Sequence, residues 1–212
     1  MKISWMGHSC FLLETSKGTK LITDPYESGG YSGAVGYGPI DIAADIVTVS
    51  HQHPDHNYLK GFKAANIIDV PGEVKLKDIT VEGVLSYHDK DEGRLRGENI
   101  IFIFSLESLK IAHFGDLGTL DINYGKLKNI DVALIPVGGT FTLDSKEADA
   151  LVEKSSPKIS IPMHFKTEKL GFDIDRVDKF LKDKDWEEKD ILDINRDNMS
   201  SFKKIVVLRH QR

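Results

Sequence analysis

Residues 51–56 read His51-Gln52-His53-Pro54-Asp55-His56, and four of those six side chains are good ligands for a divalent metal ion. Two imidazoles separated by one residue project to the same side of an extended backbone, and Pro54 biases His53 toward that conformation. Asp55 and His56 follow after a turn and approach from another direction, so one short segment can serve two neighbouring ions. Further candidates lie downstream: His88, Asp116 within Phe114-Gly115-Asp116-Leu117-Gly118, and His164. Five imidazoles and two carboxylates suit zinc, manganese or iron better than magnesium. They are too many for one tetrahedral ion, but fit two ions sharing a bridging carboxylate, spaced about 3.5–4 Å apart. Water on such ions reaches a pKa near 7, so the expected chemistry is hydrolysis by a metal-activated hydroxide.

Strand ends must position these residues. Each candidate follows a short apolar, β-branched run: residues 46–49 before His51 and His53, 81–85 before His88, 109–113 before Asp116, and 159–162 before His164. Similar runs occupy 3–6, 10–13, 20–23, 67–70, 99–104, 132–136 and 204–209. Helical patterns cover 58–65, 145–153 and 175–182, the second capped by Asp144 or Ser145 with Glu147 in its first turn. This order predicts an α/β protein whose sheets pack face to face under outer helices. No Pro- or Ser-rich linker divides the chain, so residues 1–212 are expected to form a single domain. A glycine-rich loop at 26–38 carries three tyrosines, and the charge run 182–190 reads as a solvated face.

Composition bounds the function. With 212 residues, 40% hydrophobic and 29% charged, the chain is that of an ordinary soluble globular protein. A net charge of −5 argues against general affinity for nucleic acid or anionic membrane. The single cysteine, Cys10, excludes an internal disulfide framework and fits a reducing compartment. With neither a signal peptide nor a spanning segment in view, the expected location is the cytoplasm. The expected partner is a small-molecule substrate, and a homo-oligomer is compatible with the sequence.

The string His51-x-His53-x-Asp55-His56, followed in order by His88, Asp116 and His164, resembles the metallo-β-lactamase superfamily. The flanking strings Trp5-Met6-Gly7-His8-Ser9-Cys10-Phe11, Thr23-Asp24-Pro25, Gly115-Asp116 and Pro162-Met163-His164-Phe165 are most similar to one branch of it. That branch contains L-ascorbate-6-phosphate lactonase and uncharacterised metal-dependent hydrolases. The resemblance covers nearly the whole chain and implies a four-layer αβ/βα sandwich, with two mixed sheets and a dinuclear site along one edge. It implies that His51, His53 and His88 hold the first ion, that Asp55, His56 and His164 hold the second, and that Asp116 bridges. Asp24 matches a carboxylate that orients a ligating imidazole through its other nitrogen. The pocket loops depart from the family, so the substrate does not transfer with the site.

Some residues admit two readings. His88 or His113 can supply the third imidazole of the first ion; the branch resemblance points to His88 and leaves His113 an orienting or packing role. His8 is either a proton donor or substrate contact, or a satisfied structural histidine. Thr140 can bond a bound oxyanion or cap the helix region that follows it. Arg94 and Arg96 lie in a loop able to cover the pocket, and His210 sits near the chain end. The leading expectation is a hydrolase with two divalent ions, most simply zinc, cleaving a small lactone, ester, amide or phosphoester, with Asp55 orienting the nucleophile or shuttling a proton. The alternatives are a phosphodiesterase or nuclease like the tRNA 3′-processing endonucleases, and a non-catalytic metal-binding protein.

Overall fold

The computed structural model describes residues 1–62 and 65–212. The amino-terminal strands are β1 (Lys2–Gly7), β2 (Cys10–Glu14), β3 (Lys20–Thr23), β4 (Ile46–Thr48) and β5 (Asn66–Ile68). They are followed by β6 (Gly72–Leu76), β7 (Ile79–Tyr87), β8 (Glu98–Leu106), β9 (Leu109–His113), β10 (Val132–Pro136) and β11 (Ile159–Met163). Three short strands complete the set: β12 (Glu187–Lys189), β13 (Leu192–Asp193) and β14 (Val206–Leu208). One sheet has the order β13-β1-β2-β3-β4-β5, a second β11-β10-β9-β8-β7-β6, and β12 pairs with β14. Both large sheets are mixed: β3, β4 and β5 run parallel in one, β9, β10 and β11 in the other.

The sheets pack face to face because their strands alternate in what they bury. Ile3 and Trp5 of β1, Phe11 and Leu13 of β2, Leu21 of β3 and Ile46 of β4 share one core with Phe102, Phe104, Ile111 and Leu134 of the second sheet. The alternate residues, Met6, Cys10, Ile22 and Val47, form a second cluster on the other face with Tyr26, Val35, Tyr37 and Leu170. Loops therefore cover that face. The Tyr26 hydroxyl donates to the Met6 carbonyl at 2.8 Å, and the Tyr37 hydroxyl bonds Thr167 Oγ1 at 2.7 Å, so much of the glycine-rich loop is anchored.

Helices are few among the described residues. The helix α1 (Ser145–Ser155) is the crossover joining parallel β10 to β11 and buries Ala148 and Leu151. Its start is a capping box: Asp144 accepts from the Lys146 and Glu147 amides at 2.9 Å while Glu147 accepts from the Asp144 amide at 3.1 Å. The helix expected over 175–182 shrinks to α2 (Asp178–Leu181), because Asp175 spends its amide on the Gly138 carbonyl and its carbonyl on the Lys166 amide. Residues 58–62, expected to begin a helix, form a turn in which the Tyr58 amide bonds the Pro25 carbonyl. Residues 63 and 64 of that expected helix lie outside the described residues. Among the described residues, no helix is long and apolar enough to cross a membrane.

Candidate metal centre

The carboxyl ends of the parallel strands meet at one rim, the usual place for a site in sheets of this kind. After β4 the chain bends at His51 and Gln52 and turns over 54–56, so His51 and His53 do not share the extended backbone expected of them. Their rings nevertheless lie 4.6 Å apart, edge to face. His88 arrives at the end of β7, Asp116 after β9, and His164 after β11. His8 enters from the tight β1–β2 turn, at φ 54°.

Asp116 is the hub. Its Oδ2 faces the Nε2 atoms of His164 at 3.1 Å, His56 at 3.3 Å, His88 at 3.4 Å and His51 at 3.8 Å. His51, His53 and His88 place one nitrogen each within 4.8 Å of one another, the set that the family resemblance implies for one ion. On the other side His56, His164 and His8 are grouped as tightly, with Asp55 Oδ2 at 3.6 Å from His56 Nε2 and 3.0 Å from His8 Nε2. His8 is completely buried against Asp55 and lies tilted against His164, with ring centres 4.3 Å apart.

A buried relay aims these rings. Asp24 Oδ1 accepts the Ser50 amide at 2.8 Å, while its Oδ2 accepts the Ser50 hydroxyl at 2.5 Å and His56 Nδ1–H at 2.9 Å. Having donated its proton, Ser50 Oγ accepts from His51 Nδ1–H at 3.0 Å. Asp24 thereby places a proton on Nδ1 of both rings and leaves both Nε2 lone pairs pointing at Asp116. Those two Nε2 atoms and Asp116 Oδ1 are buried with no hydrogen-bond partner, which fits a site built to hold metal ions. Asn99 steers Asp116 in turn: its Oδ1 accepts the Asp116 amide at 2.9 Å, and its Nδ2 donates to the Phe114 carbonyl at 3.0 Å.

His113 is turned away. Its Nε2–H donates to the Ser9 carbonyl at 2.8 Å and its Nδ1 accepts the Gly115 amide at 3.2 Å, so neither nitrogen is free for an ion. It ties β9 to the β1–β2 turn. Thr140 is exposed and donates its hydroxyl to the Asp173 carbonyl at 3.1 Å. That bond ties two loops together and engages the hydroxyl proton that an oxyanion contact would need. Two glycines let backbone crowd the site: a Cβ on Gly138 would lie 2.1 Å from the His164 carbonyl oxygen, and one on Gly115, at φ 54°, 2.3 Å from Asn99 Oδ1.

A sequence model of the β-lactamase superfamily domain matches residues 2–164. The chain belongs to the metallo-β-lactamase superfamily, among its metal-dependent hydrolases. A metal-dependent hydrolase of Thermococcus kodakarensis is 31% identical over 79% of this chain and 85% of its own. One of Methanosarcina barkeri is 32% identical over 84% of this chain and 87% of its own. A crystal structure from Thermotoga maritima, of a protein proposed to be a Zn-dependent hydrolase of this superfamily, superposes with a TM-score of 0.78. It is 35% identical and covers 98% of this chain and 97% of its own.

Within this superfamily site, charge is partitioned sharply. Burial raises the Asp116 carboxyl, but His164 and His56 outweigh it and hold the group well below the ordinary carboxylate range. Burial likewise opposes ionisation of Asp55, and His56 and His8 reverse that to keep it low. His56 is pushed down by burial yet lifted well above its usual value by Asp116 and Asp55. Burial and His56 depress His51, and burial and His164 bring His8 down to about 4. His51 is thereby held neutral, the form that binds metal, whereas His56 keeps a second proton in the metal-free site that an ion must displace.

The centre opens into a cavity of about 370 Å³, walled by Tyr31, Phe141 and Phe172 with Arg96 at its edge. Three positioning residues escape sequence reading: Ser50, Asn99 and Asp89. Asp89 accepts the amides of Asp91 and Gly93 on one oxygen and those of Leu95 and Arg96 on the other, folding the loop that carries Arg96. Only the adjacency of Ser50 to His51 and of Asp89 to His88 signals any of them.

Proposed function

We propose that the chain is a dinuclear hydrolase, zinc being the metal its donors fit best, acting on a small lactone, ester, amide or phosphoester. The observation that carries this is Asp116 Oδ2 at the centre of four Nε2 atoms, two of them buried and unpartnered. His51, His53 and His88 would hold one ion, and His56, His164 and Asp55 the other, with Asp116 between them. An imidazole-rich set of this kind favours zinc over harder cations. When bound, two such ions supply a nucleophilic water at neutral pH and polarise a carbonyl or phosphoryl oxygen.

The chain's own residues do the rest. Asp55, gripped by His8 Nε2 at 3.0 Å and the Tyr31 hydroxyl at 3.3 Å, presents a fixed carboxylate that orients the attacking water. Tyr31, Phe141 and Phe172 shield the reacting bond from bulk water. A cavity of about 370 Å³ favours a small molecule over a polynucleotide. A cytoplasmic setting is part of the same reading, and the free, buried Cys10 is compatible with a reducing compartment.

The test strips the protein with chelator, restores zinc or manganese, and assays an ester, lactone and phosphodiester panel beside Asp55→Ala. Activity should return with metal, and the variant should stay folded while losing one ion and most turnover. No activity across the panel, or an unaffected variant, refutes the proposal.

A further inference from the structure

Arg96 has no visible task in the metal centre, yet the fold fixes it in place. The buried carboxylate of Asp89 accepts four backbone amides of its loop, ending with the Arg96 amide itself at 2.7 Å. The exposed guanidinium makes two contacts: Nη2 donates to the Thr140 carbonyl at 3.1 Å, and Cζ lies over the Phe141 ring, 5.7 Å from its centre. That single bond uses one of its five N–H donors. Among the described residues no carboxylate pairs with it, whereas its neighbour Arg94 is paired with Asp91 on the exposed side of the loop. The unpaired cation borders the same cavity as His88, Asp116 and His164.

Resting on the hydrolase reading above, we propose that the substrate carries an anionic group, carboxylate or phosphate, which Arg96 binds while the metal centre takes the scissile bond. Three features support it. A guanidinium offers a planar pair of donors that matches both anions. The cation–π contact with Phe141 and the bond to Thr140 bias its orientation before the substrate arrives, which lowers the entropy lost on binding. The remaining walls, Tyr31, Phe141 and Phe172, are aromatic, so the portion between anion and scissile bond is apolar or flat. At roughly 30 Å³ per water-sized group, a cavity of about 370 Å³ accepts on the order of a dozen such groups, a molecule the size of an aryl ester of a short diacid.

The test uses matched esters on the zinc-loaded protein: phenyl butyrate, the monophenyl ester of glutaric acid, and phenyl 4-(phosphonooxy)butyrate. Wild type should prefer at least one anionic ester over the neutral one by about tenfold or more in kcat/KM, the size expected of a charge-assisted bond. Which ester gains distinguishes carboxylate from phosphate. Arg96→Gln should erase that preference through KM, Arg96→Lys should restore part of it, and Arg94→Gln should leave the ratio unchanged. Binding supplies a readout without turnover: the uncleavable ketone 5-oxo-5-phenylpentanoate should bind wild type about tenfold tighter than butyrophenone, and Arg96→Gln should bind the two alike. If no ester is cleaved but the ketone preference stands, the hydrolase reading fails and the anion site survives. Equal binding of the two ketones by wild type with no preference for the phosphate ester either, or a preference that persists in folded Arg96→Gln, overturns the proposal.

Discussion

Asp24→Asn preserves the volume of a fully buried side chain and changes only which of its atoms accept. In the native arrangement Oδ1 takes the Ser50 amide at 2.8 Å, and Oδ2 takes the Ser50 hydroxyl at 2.5 Å and His56 Nδ1–H at 2.9 Å. An asparagine can point its amide nitrogen at His56, but then His56 Nδ1 must accept, and its proton moves to Nε2. That Nε2 is the atom 3.3 Å from Asp116 Oδ2, and it no longer carries a free lone pair for an ion. Alternatively the amide nitrogen faces the Ser50 N–H, leaving two buried donors opposed at about 1–3 kcal/mol. The backbone gives little back, since φ 40° at this position is tolerated by Asn and Asp alike. Losing the charge-assisted bond to His56 therefore costs about 1.5–3 kcal/mol in metal-competent geometry, or roughly a tenfold to hundredfold weaker zinc affinity. Competition of metal-free protein against a chromophoric chelator measures this directly, with denaturant unfolding as the check on folding. Ser50→Ala, which cuts only the leg to His51, should fall between the two. A folded Asp24→Asn protein that binds zinc within about twofold of wild type would refute the relay.

His88→Ala should lose bound zinc, whereas His113→Ala should keep the full complement and unfold at lower denaturant by about 2–4 kcal/mol, since His113 is fully buried and bonded through both nitrogens; metal counting with a reversed result would exchange their roles. Gly138→Ala forces a methyl to within 2.1 Å of the His164 carbonyl, so it should cost about 1–3 kcal/mol or more and loosen the His56–His164 half; an unchanged melting curve and zinc count would show that the close approach does not position His164. Asp89→Ala removes the acceptor of four backbone amides, and hydrogen exchange at residues 91, 93, 95 and 96 should accelerate by about tenfold or more; retained protection there would mean that the loop holds itself.

The two-sheet architecture and the ligand candidates were legible because both leave local marks. Strands such as β1 and β2 alternate Ile3, Trp5 and Phe11, Leu13 toward one core with Met6 and Cys10 toward the other, a period visible in the chain itself. Imidazoles at strand ends are conspicuous by type. The misses share a different physics. The edge strand β6, Gly-Glu-Val-Lys-Leu, is largely exposed, and β12 lies inside a run of charges, so neither shows the apolar signal that marks a strand. The turn at 58–62 carries helical-looking residues, but the Tyr58 amide is claimed by the Pro25 carbonyl, a contact 33 positions distant. Ser50 and Asn99 escaped for the same reason, their partners being a carboxylate and a backbone amide that only tertiary folding supplies. Asp89 escaped because the amides it gathers at 91–96 belong to an irregular loop with no periodic signal. Residue type reveals what can hold a metal; it does not reveal what turns a ring toward it.

That distinction explains where the fold is strained. His8, Asp24 and His164 adopt φ of 54°, 40° and 50°, a region that non-glycine residues avoid, each at about 1–3 kcal/mol. All three follow strands, and each is locked by a bond to another element rather than by its own. The Asp24 amide donates to the Thr48 carbonyl at 2.8 Å, and the His164 amide to the His8 carbonyl at 3.2 Å, while that same carbonyl accepts Trp5 Nε1–H at 2.9 Å. An ordinary strand exit would send these side chains along the strand direction. The left-handed kink accompanies side chains that meet the site from both sheets: His164 faces Asp116, His8 faces Asp55, and Asp24 faces Ser50 and His56. The core between the sheets is extensive enough to offset several kcal/mol of local strain, and the only beneficiary in view is the convergence of rings on one carboxylate. The strain is therefore best understood as the means by which two independently twisted sheets are made to share a single centre.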